Sequence, residues 1–473
     1  MIIMFGKSFA LPVCFQRNCP TDQSYIGYQK AAVRLALAIS LFAIDSMASL
    51  SAAPLPKWAE SPKVEQVNSL PLREAILRSF GRSPAIEQAA AQAGIGKAQI
   101  DEAKSAWLPQ VGLNGAAGQS KQTDSNGTLR NSASYGITLS QLVYDFGKTN
   151  NNIKQQQTLS ASYHYNLLNV MTEVGEKTTL AYLQVKRYQA LCSAVETNIR
   201  SLDNVKSMAA LRADAGLSSS SDVLQAESRI AAMRATLEQY KAELETAKSQ
   251  LAVLTGIRAD ILPDFPEQLL EQPISLNDIN YQNNPQVQSA QSQQNAASYG
   301  VKNAQSQYWP TLSLQAGRTR YETDNHAYWN DQMQLSVEAP IYQGGATSAR
   351  IKQAEGARRA AESQVNQAKM DINQRAATAF ANWNGARERE EAGQQQFTSA
   401  VTARDVYKNE YKLSKRSLND LLTVEQDVHQ AAVAQLSADF DGWNSSVSYA
   451  AAVDNLLPLL DIVRKHQDDL PNL

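Results

Sequence analysis

The chain is poor in the residues that staple, bend or charge a fold. It has 473 residues but only three cysteines; Cys14 and Cys19 lie in the first twenty residues and Cys192 stands alone beyond them. A disulfide within the body of the chain is therefore excluded. Glycine (22) and proline (16) are sparse, which leaves room for long uninterrupted helices. The 44 basic and 46 acidic residues nearly cancel, to a net charge of −2. No basic footprint for nucleic acid exists, and nucleic acid is not expected as a partner. The four histidines, His164, His326, His429 and His466, are isolated and lack ligand spacing. Gly344-Gly345 is followed by no Gly-Lys-Ser/Thr and is not a phosphate loop. No enzymatic constellation, metal site or cofactor is expected. Beyond the leader no apolar run reaches the ~20 residues of a helical membrane span.

The first 53 residues read as a leader. Lys30 and Arg34 flank an apolar stretch from Leu35 to Ile44, and small residues follow to Ala53. This is the pattern of an export signal, with cleavage expected between Ala48 and Ala53. The segment before Lys30 is long for such a signal and suggests an upstream start codon. No cysteine follows the apolar stretch, so no lipid attachment is expected there.

The rest of the chain says nearly the same thing twice. Ser83-Pro84-Ala85-Ile86 is echoed by Asn284-Pro285-Gln286-Val287, and Trp107-Leu108-Pro109 by Tyr308-Trp309-Pro310, both 201 positions on. Val143-Tyr144-Asp145-Phe146-Gly147 answers to Ile341-Tyr342-Gln343-Gly344-Gly345, and Ser221-Asp222-Val223-Leu224 to Asn419-Asp420-Leu421-Leu422, both at 198. A repeat of this length is a duplicated supersecondary unit. The change in offset predicts a three-residue difference in a loop between Pro109 and Tyr144.

Each unit reads helix, two strands, long helix, second helix. Proline opens the first helix at Pro84 and Pro285, where its missing N–H costs nothing, and Pro109 and Pro310 stop it. Period-two alternation follows, as in Met333, Leu335, Val337 against Gln332, Gln334, Ser336, and in Tyr135, Ile137, Leu139 against Ser134, Gly136, Thr138. Polar loops are expected from Lys121 to Ser132 and from Glu322 to Asp331, making each pair a hairpin. Trp107, Tyr144, Tyr308, Trp309, Tyr321 and Tyr342 gather near the strand ends, as in an interfacial aromatic belt; a soluble sandwich would place them there too. Four strands cannot close a barrel, so a membrane-spanning sheet requires several chains to pool theirs.

The helix after each hairpin runs from Lys148 to Asp214 and from about Ala346 to Lys412, roughly 100 Å at 1.5 Å per residue. Leu167, Met171, Val174, Thr178, Ala181, Val185, Tyr188, Cys192, Val195, Ile199 and Leu202 recur at steps of four and three, a heptad seam. Val365, Ile372, Ala379 and Trp383 keep its register in the second copy. The chain reverses near Ala215-Gly216-Leu217 and near Ser414-Lys415-Arg416, so each unit ends in a coiled-coil hairpin.

The order of these parts, their duplication, the paired Trp/Pro junctions, the strand-to-helix motifs and the two reversals resemble the TolC family of outer-membrane channels, from about Leu70 to Leu460. The resemblance implies an α+β membrane protein with an internal tandem repeat. Three chains would pool four strands each into a trimeric twelve-stranded β-barrel, continued by a long α-helical coiled-coil barrel through the periplasm. The implied organisation is a leader at 1–53, a first repeat at 54–256 (β-hairpin about 109–146, coiled-coil hairpin about 147–256) and an equatorial linker at 257–283. A second repeat follows at 284–460 (β-hairpin about 310–343, coiled-coil hairpin about 346–457), with a tail at 461–473. The implied location is the bacterial outer membrane, with contacts to its lipid. The implied partners are a homotrimer, a periplasmic adaptor protein and an inner-membrane transporter, with the ABC type among the candidates. The implied function is the exit duct of a tripartite system for type I protein secretion or small-molecule efflux. A periplasmic coiled-coil adaptor without a pore is the alternative, against which the duplication argues.

The resemblance also assigns residues. Tyr411 and Arg416 in the second reversal would bond Asp222 in the first, with Ser221 a neighbouring acceptor, as a latch holding the periplasmic end shut. Asp420 would line the closed aperture, three per trimer. Ala215, Gly216, Leu217, Leu413, Ser414 and Lys415 would form the tips that dock the adaptor. Aspartate at a helix start is also a common cap, so Asp222 and Asp420 carry that reading as well. The sequence departs from the family twice: Thr423 stands where a second acidic ring is frequent, and Ser414 where a glycine is usual.

Overall fold

The computed structural model describes residues 64–463 except 121–129, 264, 267–268, 270–275, 277–278 and 324–325. The leader and residues 464–473 of the expected tail lie outside the described residues, as does most of the first hairpin's loop.

Two helices dominate, α3 (Lys148–Asp214) and α6 (Ala346–Lys412), each of 67 residues. Neither contains a proline, so no interior hydrogen bond is forfeited. At 1.5 Å per residue each is roughly 100 Å long. The heptad positions face inward: Leu167, Met171, Thr178, Val185, Val195 and Leu202 are buried in α3, and Val365, Ile372, Ala379 and Trp383 in α6. Each long helix carries two shorter antiparallel partners end to end. Helix α2 (Pro84–Ser105) packs beside the strand-proximal part of α3, and α4 (Ser220–Thr255) beside its far part. Helix α5 (Pro285–Ser306) packs against α3 and α6, and α7 (Leu418–Ala452) against α6 and α3.

Between these stacked partners lies a mid-height layer, whose strand pairing the expected equatorial linker at 257–283 did not include. Strands β1 (Glu65–Ser69) and β4 (Ile257–Ile261) pair in parallel, joined by the short helices α1 (Leu72–Phe80) and α8 (Leu456–Leu459). They close over the largest core, in which Ile76, Tyr182, Leu183, Leu456 and Leu457 are almost fully buried. Gly175 permits this approach, because a Cβ there would meet Leu457 Cδ2 at 2.9 Å.

The other end is a four-stranded antiparallel sheet in the order β2 (Gln110–Ser120), β3 (Arg130–Tyr144), β5 (Thr311–Thr323), β6 (His326–Glu338). The second hairpin is tighter than its polar sequence suggested. Glu322 and Thr323 end β5 and His326–Asp331 belong to β6, leaving two residues for the turn; in the first, Arg130–Ser132 already belong to β3. Polar residues stay in strands here because the ladder satisfies their backbone groups.

The register separates two faces. Val111, Leu113, Ile137, Leu139, Ala316, Met333, Leu335 and Val337 share one; Asn114, Thr138, Ser140, Gln315, Gln332 and Gln334 share the other. Tyr321 departs from the expected belt, for it lies on the polar face, stacked on Tyr328 at 5.4 Å. The apolar face is bare: Val111 is 72% exposed, Leu113 68% and Met333 75%. Strands β2 and β6 are unpaired on their outer sides.

Candidate functional site

The two chain reversals lie together at the far end of the long helices. Leu202, Val205, Ala209, Ala226, Ile230, Tyr411, Leu418, Leu421 and Leu422 form one small core there, so the ends of α3, α4, α6 and α7 share a single apolar plug.

Both reversals use the same backbone solution. In the first, Gly216 adopts φ +71, its N–H donates to Ala213 and that of Leu217 to Arg212. In the second, Ser414 adopts φ +60, its N–H donates to Tyr411 and that of Lys415 to Glu410. These are matched Schellman-type ends, 198 positions apart. The serine at the family's glycine position therefore keeps the turn, at a left-handed cost of roughly 1–2 kcal/mol.

That serine is engaged. Arg212, on the last turn of α3, crosses to the second reversal. Its guanidinium donates to the Tyr411 carbonyl (2.7 Å), the Lys412 carbonyl (3.3 Å) and Ser414 Oγ (2.8 Å), and lies over the Tyr411 ring at 4.8 Å. It caps the C-terminal carbonyls of α6, where a cation suits the helix dipole. Reading the sequence did not single out Arg212. A signal was present: its counterpart 198 residues on is Glu410, a charge reversal at matched positions.

The expected latch residues are partly brought together. Tyr411 is buried, and its hydroxyl has no hydrogen-bond partner. Burial pushes the phenol up and Asp222 nearby adds to this, while the Arg212 charge opposes it. Asp222 itself makes no side-chain hydrogen bond or ion pair within the chain, among the described residues. Arg416 does not reach Asp222. Its Nε donates to Glu410 Oε2 at 3.0 Å and its guanidinium lies over Tyr407 at 4.4 Å, so the nearest carboxylate on its own side captures it. Among the described residues of one chain, Arg212 is the cation that crosses from the first reversal to the second, and Arg416 and Asp222 are not paired with each other. Ser221 is exposed and donates to Ser219 Oγ at 3.0 Å.

The aligned aspartates differ. Asp420 closes a capping box with Ser417: the Asp420 N–H donates to Ser417 Oγ (3.2 Å), and the Ser417 N–H to Asp420 Oδ2 (3.3 Å). Around it Ala215, Gly216, Ser414 and Lys415 are exposed, and Leu217 and Leu413 are 65% and 67% exposed.

Above the plug, polar contacts zip the two hairpins. Gln225 donates to Asn419 (3.4 Å), Arg229 to Gln426 (3.3 Å), Asn198 to the Glu425 carbonyl (3.1 Å) and Ser201 Oγ to Glu425 Oε1 (2.7 Å). Glu425 is almost fully buried and its Oε2 has no partner. Burial raises its carboxyl above the ordinary range, against the Ser201 hydrogen bond and the charges of Arg404 and Lys408. A buried seam with an unsatisfied oxygen is a joint held less tightly than an apolar one. Among the described residues no group of acids, cysteines and histidines has the geometry to hold a metal. His429 is buried and held neutral, its pKa lowered by desolvation.

Comparison with known proteins completes the description. A family model described as "Outer membrane efflux protein" matches residues 76–257 and 279–447. The outer membrane efflux protein BepC of Brucella suis is 25% identical over 385 residues, 78% of this chain and 82% of its own. Protein CyaE of Bordetella pertussis is 28% identical over 363 residues, 72% of this chain and 75% of its own. The crystal structure of the outer membrane protein VceC from Vibrio cholerae superposes with a TM-score of 0.70 at 16% identity, covering 81% of this chain and 95% of that one.

Proposed function

Because the chain belongs to the outer membrane efflux protein family, we propose that three copies close their sheets into one twelve-stranded barrel and their helices into one periplasmic tunnel, the exit duct of a tripartite export system. The observation that carries this reading is the bare apolar face of the sheet. Val111, Leu113, Met333, Leu335 and Val337 are each 60% exposed or more, and both edge strands are open. In a barrel the apolar face meets lipid, the polar face lines an aqueous lumen, and closure abolishes the edges. Four strands from one chain cannot do this; twelve can.

The duct is passive. An inner-membrane transporter supplies energy and a periplasmic adaptor joins it to the tips, where Leu211, Leu217, Leu224 and Leu413 leave an apolar surface for docking. The cargo is small molecules, or protein passed in one step by an ABC-type transporter; the name of the Brucella relative speaks of efflux.

At the closed end Arg212 carries the contact between the two hairpins, flanked by Tyr411, Asp222 and Ser221. Arg416 is held in reserve on Glu410. Asp420 lines the aperture three times per trimer, one carboxylate oxygen committed to its capping box and the other left to meet cations in the lumen.

Recording single channels of the purified trimer in planar bilayers tests the reading. Conductance that is low in the wild type and blocked by divalent cations is expected, with block relieved in Asp420→Ala. A folded trimer that never conducts would overturn the duct and favour a non-channel adaptor. A conducting Asp420→Ala trimer blocked as well as wild type would remove Asp420 from the aperture.

A further inference from the structure

The apolar face of the sheet changes character toward the hairpin tips. Above Ala316 and Met333 the register places Arg318 opposite Asp331, and Arg320 between Trp329 and Tyr135, all on the face that carries Leu335 and Ile137. Arg318 Nε meets Asp331 at 3.3 Å and its guanidinium lies over the Trp329 ring at 4.7 Å. Arg320 meets Glu322 at 2.7 Å and stands 5.4 Å from the same ring. Tyr135 packs edge-on against Trp329 with centroids 6.4 Å apart, and its hydroxyl donates to Glu322 at 3.4 Å.

The height of this cluster is fixed by strand geometry. Arg320 lies nine residues beyond Thr311, next to Trp309 at the helix end. At about 3.3 Å per residue and a tilt of about 40°, that is roughly 23 Å along the barrel axis. An outward apolar band is about 25 Å tall with aromatic girdles at both margins. Tyr144, edge-on to Phe146 at 4.7 Å, and Trp309, stacked on Phe146 at 5.5 Å, form the lower girdle with it. Trp329 and Tyr135 then mark the upper one, at the level of the outer-leaflet headgroups. Charged side chains on a lipid-facing surface are costly at the midplane and cost little at this depth.

We propose that Arg318, stacked on Trp329 and backed by Arg320, binds the phosphate of a phosphorylated lipid of the outer leaflet, once per chain. Asp331 engages Arg318 through Nε, which fixes the plane of the guanidinium; among the described residues the terminal Nη groups make no hydrogen bond, and the side chain is 63% exposed. Two parallel Nη donors match two phosphate oxygens. The Trp329 face holds the guanidinium at the margin of the apolar band, where the acyl chains of the same lipid would lie on Met333, Leu335 and Ile137. A free anion would have no use for that apolar floor, so the occupant is the lipid. The site rests on the outward orientation of the apolar face.

Native mass spectrometry of the full-length trimer tests it, with three probes: a bis-phosphorylated glucosamine lipid, its dephosphorylated counterpart and inorganic phosphate. The expected result is retention of the phosphorylated lipid at least tenfold above the dephosphorylated one, undisturbed by millimolar phosphate. Arg318→Gln should abolish that preference, and Asp331→Asn, which removes the competing carboxylate, should strengthen it. Equal retention of both lipids, displacement by phosphate alone, or an unchanged preference in both variants would each overturn the site. The bilayer conductance of the same preparations separates the two readings: a conducting trimer without lipid preference defeats only the site, whereas absence of any assembled, conducting trimer defeats the barrel orientation beneath it.

Discussion

The two repeats share a backbone and differ in residue type at two of its left-handed positions. Each needs a left-handed residue where the strand enters the long helix and another where that helix reverses. At the strand junction the first copy uses Phe146 (φ +53) and the second Gly344 (φ +60). At the reversal the first uses Gly216 (φ +71) and the second Ser414 (φ +60). Glycine adopts this conformation without penalty; a side chain does not. At both places the strained residue is the one that touches the other repeat. Phe146 stacks on Trp309 at 5.5 Å, and Ser414 Oγ accepts from Arg212 at 2.8 Å. The strain is offset by a contact that fastens one hairpin to its copy, at the barrel end through apolar area and at the periplasmic end through charge.

These two fastenings suit different duties. The aromatic stack is insensitive to salt and pH and belongs to a fixed barrel. The guanidinium contacts are strong in a shielded position, yet exchange readily for water when the tips part. On the proposed reading the tips are the moving part of the duct and the sheet is its anchor.

The sharpest way to break the comparison is Arg212→Ala. Removing three charge-assisted hydrogen bonds should weaken the closed tip by about 2 kcal/mol, roughly 30-fold in the opening equilibrium. Single-channel conductance should rise with the trimer intact. Arg416→Ala should do less, since among the described residues of one chain Arg416 holds Glu410 and Tyr407; an effect of Arg416→Ala exceeding that of Arg212→Ala would favour the Arg416–Asp222 latch.

Glu425→Gln should act in the opposite sense. The folded carboxyl titrates above its unfolded value, so the seam is tightest with Glu425 protonated and loosens as pH rises through the folded pKa. Acidifying from neutrality toward the ordinary carboxylate range of about 4 should therefore favour closure in the wild type. The glutamine variant should gain about 1 kcal/mol at neutral pH and lose that pH dependence. Conductance followed against pH in both proteins checks the sign, and an unaltered profile in the variant would assign the dependence to another group. Asp439, its pKa raised to about 6 by burial and by Glu390, is that other group.

Ser414→Ala keeps the strain and loses the Arg212 bond, and should destabilise the tip by about 1 kcal/mol. Ser414→Gly loses the same bond but relieves the strain, and should come out near neutral. The difference between the two isolates the backbone cost, and thermal unfolding of the trimer measures it.

The converse change reads the same backbone cost from the other copy. Gly216→Ser would introduce the strain where nothing lies within 4 Å to repay it, costing roughly 1–2 kcal/mol. If it instead closes the tip as Ser414 does, the exchange between copies is incidental.

Much of this was legible in advance because it is local. The alternation of Met333, Leu335 and Val337 fixed which strand face is apolar, and the four-three spacing from Leu167 to Leu202 fixed which face of α3 turns inward. The Trp/Pro junctions and matched offsets announced the duplication. Other features were not legible. The five-residue strands β1 and β4 carry too little pattern to stand out, and they exist because two segments about 190 residues apart meet over a common core. The short turn of the second hairpin was hidden by polar residues that a strand open to water tolerates. Tyr321 was assigned to the belt by its type, and only the register set it on the polar face.

What the sequence determined by itself is periodic: two helices of equal length, two hairpins, one repeat, and the apolar and polar sides of each. Periodicity resides within an element, and a chain that keeps it for 67 residues has little choice. What only the tertiary structure decided is partnership. Arg212 and Arg416 are both arginines near a helix end, and nothing in their neighbours along the chain says which one crosses. Glu410, six residues before Arg416, claims that side chain, whereas Asp214, two residues after Arg212, does not pair with it, and Arg212 reaches the carbonyls of the other repeat. Pairing depends on distances between segments about 200 residues apart, and those distances exist only once the copies have folded against each other.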